Sequence, residues 1–274
     1  MKKSILSLVV VCCFFLITVP NIAGGILEIP GTGASEILLK KLAIAFNETS
    51  PGDVIKVPPS VGSTGGIRLV GDGTNIIGRV SRPLEDEEQK YGLTYWVFAK
   101  DPVVFGVSRK VGVHNLTKQQ LLDIYSGTVK NWKDVGGKNA RVRLLIREPD
   151  DSSFLIIKKH IPAFREVRFP DKAKAVYHDN EMVEMLQKFS TVIGWLTGSS
   201  LNAISSNVAG VALDGVEPTV ENVLNGRYPL VSEYALVFND ERLNPLARQF
   251  IQFLSSEEAA RIFENEGIIP VTPR

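Results

Sequence analysis

The sequence predicts an α/β protein of two lobes, and three observations support that fold class. Short apolar runs alternate with amphipathic helical patterns from Ile26 onward, which is the order typical of α/β units. Asp101-Pro102 interrupts this alternation, and the uncharged run Val103–Val107 follows as a segment that could cross into a second lobe. The chain has 274 residues and no internal repeat or low-complexity linker, a length that suits two modest domains.

Composition narrows the class of function. Hydrophobic residues make up 44% of the chain and charged residues 22%, which excludes a disordered chain, a collagen-like repeat and a polytopic membrane protein. Lys and Arg number 31 against 30 Asp and Glu, so no basic excess is available to neutralise many phosphates of a nucleic acid. We therefore expect no nucleic-acid partner.

Residues 1–24 read as a secretory signal. Lys2 and Lys3 precede an apolar run, Ile5–Val19, that ends at Pro20, and this run is shorter than the roughly 20 apolar residues of a bilayer span. Both cysteines of the chain lie inside this segment, too early for a lipid-attachment site. The sequence thus predicts a protein exported to the periplasm, with neither disulfides nor a Cys-ligated metal in its mature form.

The elements of the first lobe follow in order. Ile26–Ile29 reads as a strand, Gly31–Ser35 as a tight glycine turn, and Glu36–Phe46 as a helix with apolar residues at helical spacing. The next predicted elements are a strand at Val54–Val57, a glycine-rich turn at Gly62–Gly66, and strands at Ile76–Val80 and Tyr95–Ala99.

Capping signals mark the later helices. Thr117 and Gln120 form a capping box for a helix over Lys118–Tyr125, and Gly127 follows where a C′ glycine belongs. The remaining predicted elements are a strand at Arg141–Ile146, helices at Ser153–Ile161 and from Asp179 or Asn180 to Phe189, a strand at Thr191–Trp195, a helix at Thr219–Leu224, an extended run at Tyr228–Phe238, and two helices begun by Asn244-Pro245 and by Ser255 with Glu258.

The chain shows no pattern of reacting groups. His114, His160 and His178 are isolated and lack metal-ligand spacing. The run Gly62–Gly66 has the wrong spacing for a nucleophile elbow, and neither glycine turn has a nucleotide-binding pattern. We expect no catalytic activity, no metal and no cofactor.

Glycine and hydroxyl turns before helices favour anion binding instead. Such turns occur at Gly31–Ser35, at Ser60–Gly66, and at Asp151-Ser152-Ser153 after Arg147. Helix N-termini offer free N–H groups and a positive dipole end, and one Arg adds a bidentate donor. Together they suit a small tetrahedral oxyanion held between two lobes. The alternative is that these Ser and Thr residues serve only as N-caps.

Five motifs occur in order through nearly all of the chain after the leader. They are Gly31-Thr32-Gly33-Ala34-Ser35; Val61–Gly66 followed by Ile77–Leu84; Leu116–Gly127 running on to Asn131-Trp132; Gly194-Trp195; and Asn225–Leu230. Each motif alone is weak, but with this order and spacing the chain resembles the substrate-binding proteins of phosphate ABC transporters.

The resemblance implies a type II periplasmic-binding-protein fold, in which two α/β lobes joined by a two-strand hinge close on one oxyanion. The lobes would be residues 25–105 with 215–274, and residues 106–214. Carried over by position, Ala34 donates through its backbone, Ser35, Ser63 and Ser81 through their hydroxyls, and Arg147 supplies the charge.

The sequence departs from the family pattern at two turns. The family's Arg-x-x-x-Ser-Gly-Thr appears here as Arg147 followed by Asp151-Ser152-Ser153, so an Asp replaces a hydroxyl donor and the glycine is absent. After Ser81, where many members carry an aspartate that accepts a proton from phosphate, this chain has Arg82. Asp151 or Asp150 either takes over that acceptor role, with Arg82 as compensating charge, or only caps the following helix.

The resemblance implies a monomeric solute-binding protein that captures inorganic phosphate or a related tetrahedral oxyanion and delivers it to the permease subunits of an ABC transporter. An alternative is an exported oxyanion sensor or adaptor of the same fold that signals to a membrane receptor. A hydrolase with a Ser and Asp pair is a third alternative, for which no base beside a serine is visible.

Overall fold

The computed structural model describes residues 24–177, 179–202 and 207–271. The predicted export signal, residues 1–24, lies outside these ranges except for Gly24. Within the same ranges, none of the helices has the length and apolar character needed to cross a bilayer.

The strands form one large sheet and two small ones. The large sheet has the order β3-β11-β4-β8-β6-β7, with β9 and β12 also paired to β4, while β1 pairs with β2 and β5 with β10. The strands are β1 (Ile26–Glu28), β2 (Val54–Lys56), β3 (Ile77–Val80), β4 (Thr94–Ser108), β5 (Asn115–Leu116), β6 (Arg143–Ile146), β7 (Lys174–Ala175), β8 (Val192–Thr197), β9 (Val208–Gly210), β10 (Ala212–Leu213), β11 (Val231–Phe238) and β12 (Ile269–Pro270).

The helices lie between these strands in the predicted α/β order. They are α1 (Glu36–Thr49), α2 (Gly62–Gly71), α3 (Lys118–Tyr125), α4 (Ser152–His160), α5 (Asp179–Lys188), α6 (Gly198–Asn202), α7 (Val220–Leu224), α8 (Pro245–Phe253) and α9 (Glu257–Asn265).

Strand β4 is longer than the sequence predicts. The interruption expected at Asp101-Pro102 is wrong, because β4 continues through both residues as one strand of 15 residues. Antiparallel pairing with β11 sets Pro102 opposite Val231 and Asp101 opposite Ser232. The Asp101 carboxylate is fully buried and accepts hydrogen bonds from the Ser199 backbone N–H at 3.1 Å and the Tyr234 hydroxyl at 3.0 Å. Tertiary pairing therefore overrides the local breaking signal.

The described buried side chains form three clusters. Two of them, with residues between 27 and 99 and between 234 and 268, together make up the core of the first lobe. The third, with residues between 103 and 230 and Ile269, is the core of the second lobe. Val223, Tyr228 and Leu230 fall in the part assigned to the first lobe by sequence, yet they pack in the second core. The expected lobe boundaries at residues 105 and 214 stay a prediction.

The second glycine-rich segment is a helix and not the predicted turn. Gly62 begins α2 with a φ of 74°, and a Cβ on Gly66 would lie 2.9 Å from the Cα of Gly31. Glycine disfavours helices by roughly 1 kcal/mol per residue relative to Ala. At position 66 glycine is nevertheless required, because α2 packs directly against the turn after β1.

Helix caps agree closely with the sequence signals. Thr117 and Gln120 form the expected capping box at α3, and Asn244 caps α8 ahead of Pro245. The last helix differs by one position, since Ser256 rather than Ser255 is its N-cap.

Candidate anion-binding site

The turn after β1 brings a buried hydroxyl to the N-terminus of α1. Ser35 is the N-cap residue, but its side chain makes no capping bond and is fully buried. Its Oγ has no hydrogen-bond partner among the described residues. A buried hydroxyl without a partner costs about 1–3 kcal/mol, so its retention at the positive end of a 14-residue helix suits an anionic ligand.

Glycine permits the shape of this turn. Gly31 has a φ of 146°, and a Cβ there would lie 1.8 Å from the carbonyl oxygen of Arg79. A side chain at this position is therefore excluded by both backbone conformation and space. The predicted backbone donor Ala34 directs its N–H toward Thr32 Oγ1 at 3.3 Å.

Three predicted segments meet at Ser81, the residue that follows β3. Thr32 Oγ1 and Ser81 Oγ are 3.1 Å apart, and the Ser81 backbone N–H donates to Ser63 Oγ at 3.2 Å. Ser63 lies in the first turn of α2. The structure thus joins the first, second and third turns of the first lobe into one group, in which Ser35 shares the turn with Thr32. We call Thr32, Ser35, Ser63 and Ser81 the hydroxyl cluster.

Arg79, which the sequence analysis did not identify, holds the hydroxyl cluster in place. Its guanidinium is fully buried and donates to the carbonyl oxygens of Thr32 at 2.7 Å and Pro58 at 2.8 Å, and to that of Ile29. It also pairs with Glu36 at 3.2 Å. Burial lowers the pKa of Arg79, and Glu36 opposes that shift. The sequence feature that could have indicated this role is a charged residue inside the otherwise apolar strand Ile77–Val80.

The positive charge of Arg82, the residue after Ser81, is neutralised within its own lobe. It donates to Glu88 through two bonds, at 2.7 and 2.8 Å, and to Thr64 Oγ1 at 2.9 Å. The Arg82 hydrogen bond lowers the pKa of Glu88, and Glu88 in turn raises the pKa of Arg82. Arg82 therefore adds little net charge to the site.

The second lobe contributes a separate group at the end of β6. Arg147, nearly buried, donates to Asp151 Oδ2 through Nη2 at 2.9 Å and Nε at 3.2 Å. Asp151 is the N-cap of α4, where its Oδ1 accepts from the backbone N–H groups of Ser153 and Phe154, both at 3.1 Å, and from the Ser153 hydroxyl. Ser152, half-buried, is the first residue of α4.

The capping interpretation of Asp151 is confirmed by this geometry. Both of its carboxylate oxygens have donors, one from Arg147 and the other from the first turn of α4. Its role as an acceptor for a protonated ligand stays a prediction. Helix α4, which Asp151 caps, packs against β4, β8 and β11.

The hydroxyl cluster therefore belongs to the first lobe, and Arg147 with Asp151 belongs to the second. Each lies at a helix N-terminus, the first at α1 and α2 and the second at α4. Among the described residues, no cluster of three or more His, Cys, Asp or Glu has a metal-binding arrangement. Hydroxyls, helix ends and one arginine can hold an anion by hydrogen bonds and charge.

Known proteins are similar to this chain in both sequence and fold. The phosphate-binding protein PstS of Bacillus subtilis is 28% identical over 255 residues, which cover 91% of this chain and 82% of the relative. PstS of Borreliella burgdorferi is 25% identical over 252 residues, with 90% of each chain covered.

A solved structure from Clostridium perfringens, described as a phosphate ABC transporter substrate-binding protein with bound phosphate, is also similar. It superposes with a TM-score of 0.77 at 28% identity, covering 90% of this chain and 100% of that one. A family model described as a PBP superfamily domain matches residues 19–258. The resemblance expected from the five motifs is confirmed, and the chain belongs to the PBP superfamily, with its two-lobe α/β fold.

Proposed function

We propose that the protein is an extracytoplasmic solute-binding protein that captures phosphate, or a related tetrahedral oxyanion, between its lobes. The hydroxyl cluster of the first lobe would hold the oxyanion from one side, and Arg147 with the N-terminus of α4 would approach it from the other. The protein would act by binding and release, without a catalytic step.

One observation carries this proposal: the Ser35 hydroxyl is buried and has no partner among the described residues. A buried hydroxyl is normally hydrogen-bonded. The Ser35 hydroxyl lies at the N-terminus of α1 and belongs to the hydroxyl cluster. A bound oxyanion would accept its proton and remove the cost of its burial. The bound phosphate of the Clostridium perfringens relative adds support for that ligand.

Delivery to a membrane permease follows from the same proposal. The similar Clostridium perfringens protein is described as an ABC transporter substrate-binding protein, and the leader of this chain has the pattern of an export signal. We propose that the permease subunits of such a transporter are its partners and that it works in the periplasm as a monomer.

Calorimetric titration of the purified protein with phosphate and with sulfate tests the proposal. We expect one-to-one phosphate binding, and we expect Ser35→Ala to weaken it about tenfold or more, since a hydrogen bond to a charged group contributes about 1.5–3 kcal/mol. Ser35→Ala should keep or raise the melting temperature, because it removes a buried hydroxyl that lacks a partner.

Ser255→Ala is the matched control, because Ser255 is exposed in the same lobe. It should leave both affinity and melting temperature unchanged. If neither anion bound, the proposal would be overturned, and the adaptor alternative, which needs no bound oxyanion, would be favoured. Equal phosphate affinity in Ser35→Ala and the unmodified protein would remove Ser35 from the site.

A further inference from the structure

The second lobe contains a cavity that the oxyanion site does not use. Its volume is about 850 Å³, within the range of roughly 300–1,000 Å³ found for small-molecule sites. It lies between the end of α3, strand β6, the segment 170–174 and the end of α5. None of the predicted oxyanion-site residues lines it.

The sheet explains why this space exists. Strand β7 pairs with β6 only at Leu145 and Ile146. The first half of β6, Arg143 and Leu144, pairs with β8 on its other edge. Pairing with β7 therefore stops beside the cavity, and side chains rather than another strand border the edge of the sheet there.

The inner wall of the cavity is apolar. Ile124, Leu145 and Val192 are almost completely buried, and Met185 and Phe189 of the α5 end are half-buried where they line the same space. A wall of this kind takes a hydrocarbon chain or ring, since burial of apolar surface contributes about 25 cal/mol per Å².

The rim of the cavity is basic. Five of its lining residues carry positive charge, against one acidic residue, Asp171, among the described lining residues. The five are Lys130, Arg141, Arg143, Lys172 and Lys174, all exposed.

Most of this charge is not neutralised within the protein. Lys174 pairs with Glu181 at 3.3 Å, and Arg143 lies over the Phe189 ring at 6.0 Å. Within the described ranges, no ion pair or side-chain hydrogen bond engages Lys130, Arg141 or Lys172. An anionic head group at the rim would meet several available cations at once.

The geometry points to a second ligand site in this lobe, for a small amphiphilic anion with an apolar body and a phosphate or carboxylate head. The body occupies the apolar wall formed by α3, β6 and α5, and the head lies at the rim among Lys130, Arg141 and Lys172. The site lies within one lobe, so it does not require closure of the two lobes and is independent of the oxyanion site.

Calorimetry with three matched probes tests this site. Decyl phosphate combines body and head, decanol has only the body, and inorganic phosphate only the head. Below the concentration at which decyl phosphate forms micelles, we expect it to bind at least tenfold more tightly than decanol. Saturating inorganic phosphate should not displace it. Hydrogen exchange should slow at residues 126–130 and 170–174 when decyl phosphate binds.

Charge variants identify the rim. Lys130→Gln with Arg141→Gln should weaken decyl phosphate binding about tenfold and leave inorganic phosphate binding unchanged. The matched control is Lys133→Gln with Lys138→Gln, which removes two exposed charges of the same lobe outside the cavity and should have no effect. Displacement of decyl phosphate by inorganic phosphate, equal losses in the two double variants, or absence of decyl phosphate binding would each overturn the inference.

Discussion

Thr32 Oγ1 and Ser81 Oγ lie 3.1 Å apart, so two hydroxyls from segments 49 positions apart share one hydrogen bond. Each hydroxyl has one proton, and only one of the two protons can lie between the oxygens. The other stays available to a ligand. Thr32 also accepts from the Ala34 N–H, and it was absent from the residues predicted from sequence.

Replacement of Thr32 by Val should therefore weaken phosphate binding. The side chain keeps its shape but loses the hydroxyl that orients Ser81, and we expect the dissociation constant to rise about tenfold, as for one hydrogen bond to a charged ligand. Titration calorimetry measures the effect. Thr32→Ser is the control, since it retains the hydroxyl and should stay within about threefold of the unmodified protein. Unchanged affinity in Thr32→Val would contradict the role given to this pair.

Replacement of Arg79 by Met should destabilise the protein. Its guanidinium has carbonyl and carboxylate partners in a buried position, and removal leaves those acceptors without donors. We expect the free energy of unfolding to fall by about 3 kcal/mol, measured by chemical denaturation. Arg68→Met, at an exposed position of α2, should change it by less than about 0.5 kcal/mol. A loss no larger than that control would show that Arg79 is dispensable.

Asp151→Asn should alter phosphate and sulfate binding in the same direction. Asn still caps α4, while the loss of the carboxylate charge changes the pairing of Arg147 for any anion alike. We expect the ratio of the two dissociation constants to change less than threefold. A selective gain in sulfate affinity would instead support Asp151 as the acceptor for a protonated phosphate.

The Arg82–Glu88 pair should make stability depend on acid pH. The pKa of Glu88 is depressed below its ordinary 4.5, chiefly by the Arg82 hydrogen bond. Its contribution to stability is therefore complete above about pH 4.5 and decreases as the pH falls through the pKa of the folded protein. Glu88→Gln should be less stable than the unmodified protein at pH 6, and the difference should shrink toward pH 3. Denaturation at both pH values measures it, and a constant difference would contradict the assignment.

Local signals in the sequence predicted local structure well. The capping box of Thr117 with Gln120 and the Asn244-Pro245 start depend on residues three or four positions apart, and both are confirmed. The sequence predicts a turn rather than a helix at Gly62–Gly66, because glycine disfavours helices; Gly66 is required there by its close approach to Gly31, which is distant in sequence. Continuity through Asp101-Pro102 likewise depends on pairing with β11.

The candidate site shows the same division. Ser35, Ser63 and Ser81 follow from motifs that are short and ordered along the chain. Thr32 and Arg79 act through hydrogen bonds to residues tens of positions away, and no spacing within one segment encodes such contacts. The roles toward a ligand of all the predicted site residues stay predictions; these are Ala34, Ser35, Ser63, Ser81, Arg147, Asp151, Ser152 and Ser153.

Strand β4 has a consequence for how the molecule unfolds. Its 15 residues enter both buried cores, with Phe98 and Ala99 in one and Val103 to Val107 in the other. Melting either lobe alone would break backbone pairing that the other lobe shares. We therefore expect the two cores to unfold in a single calorimetric transition, with the amides of β4 among the last to exchange with solvent.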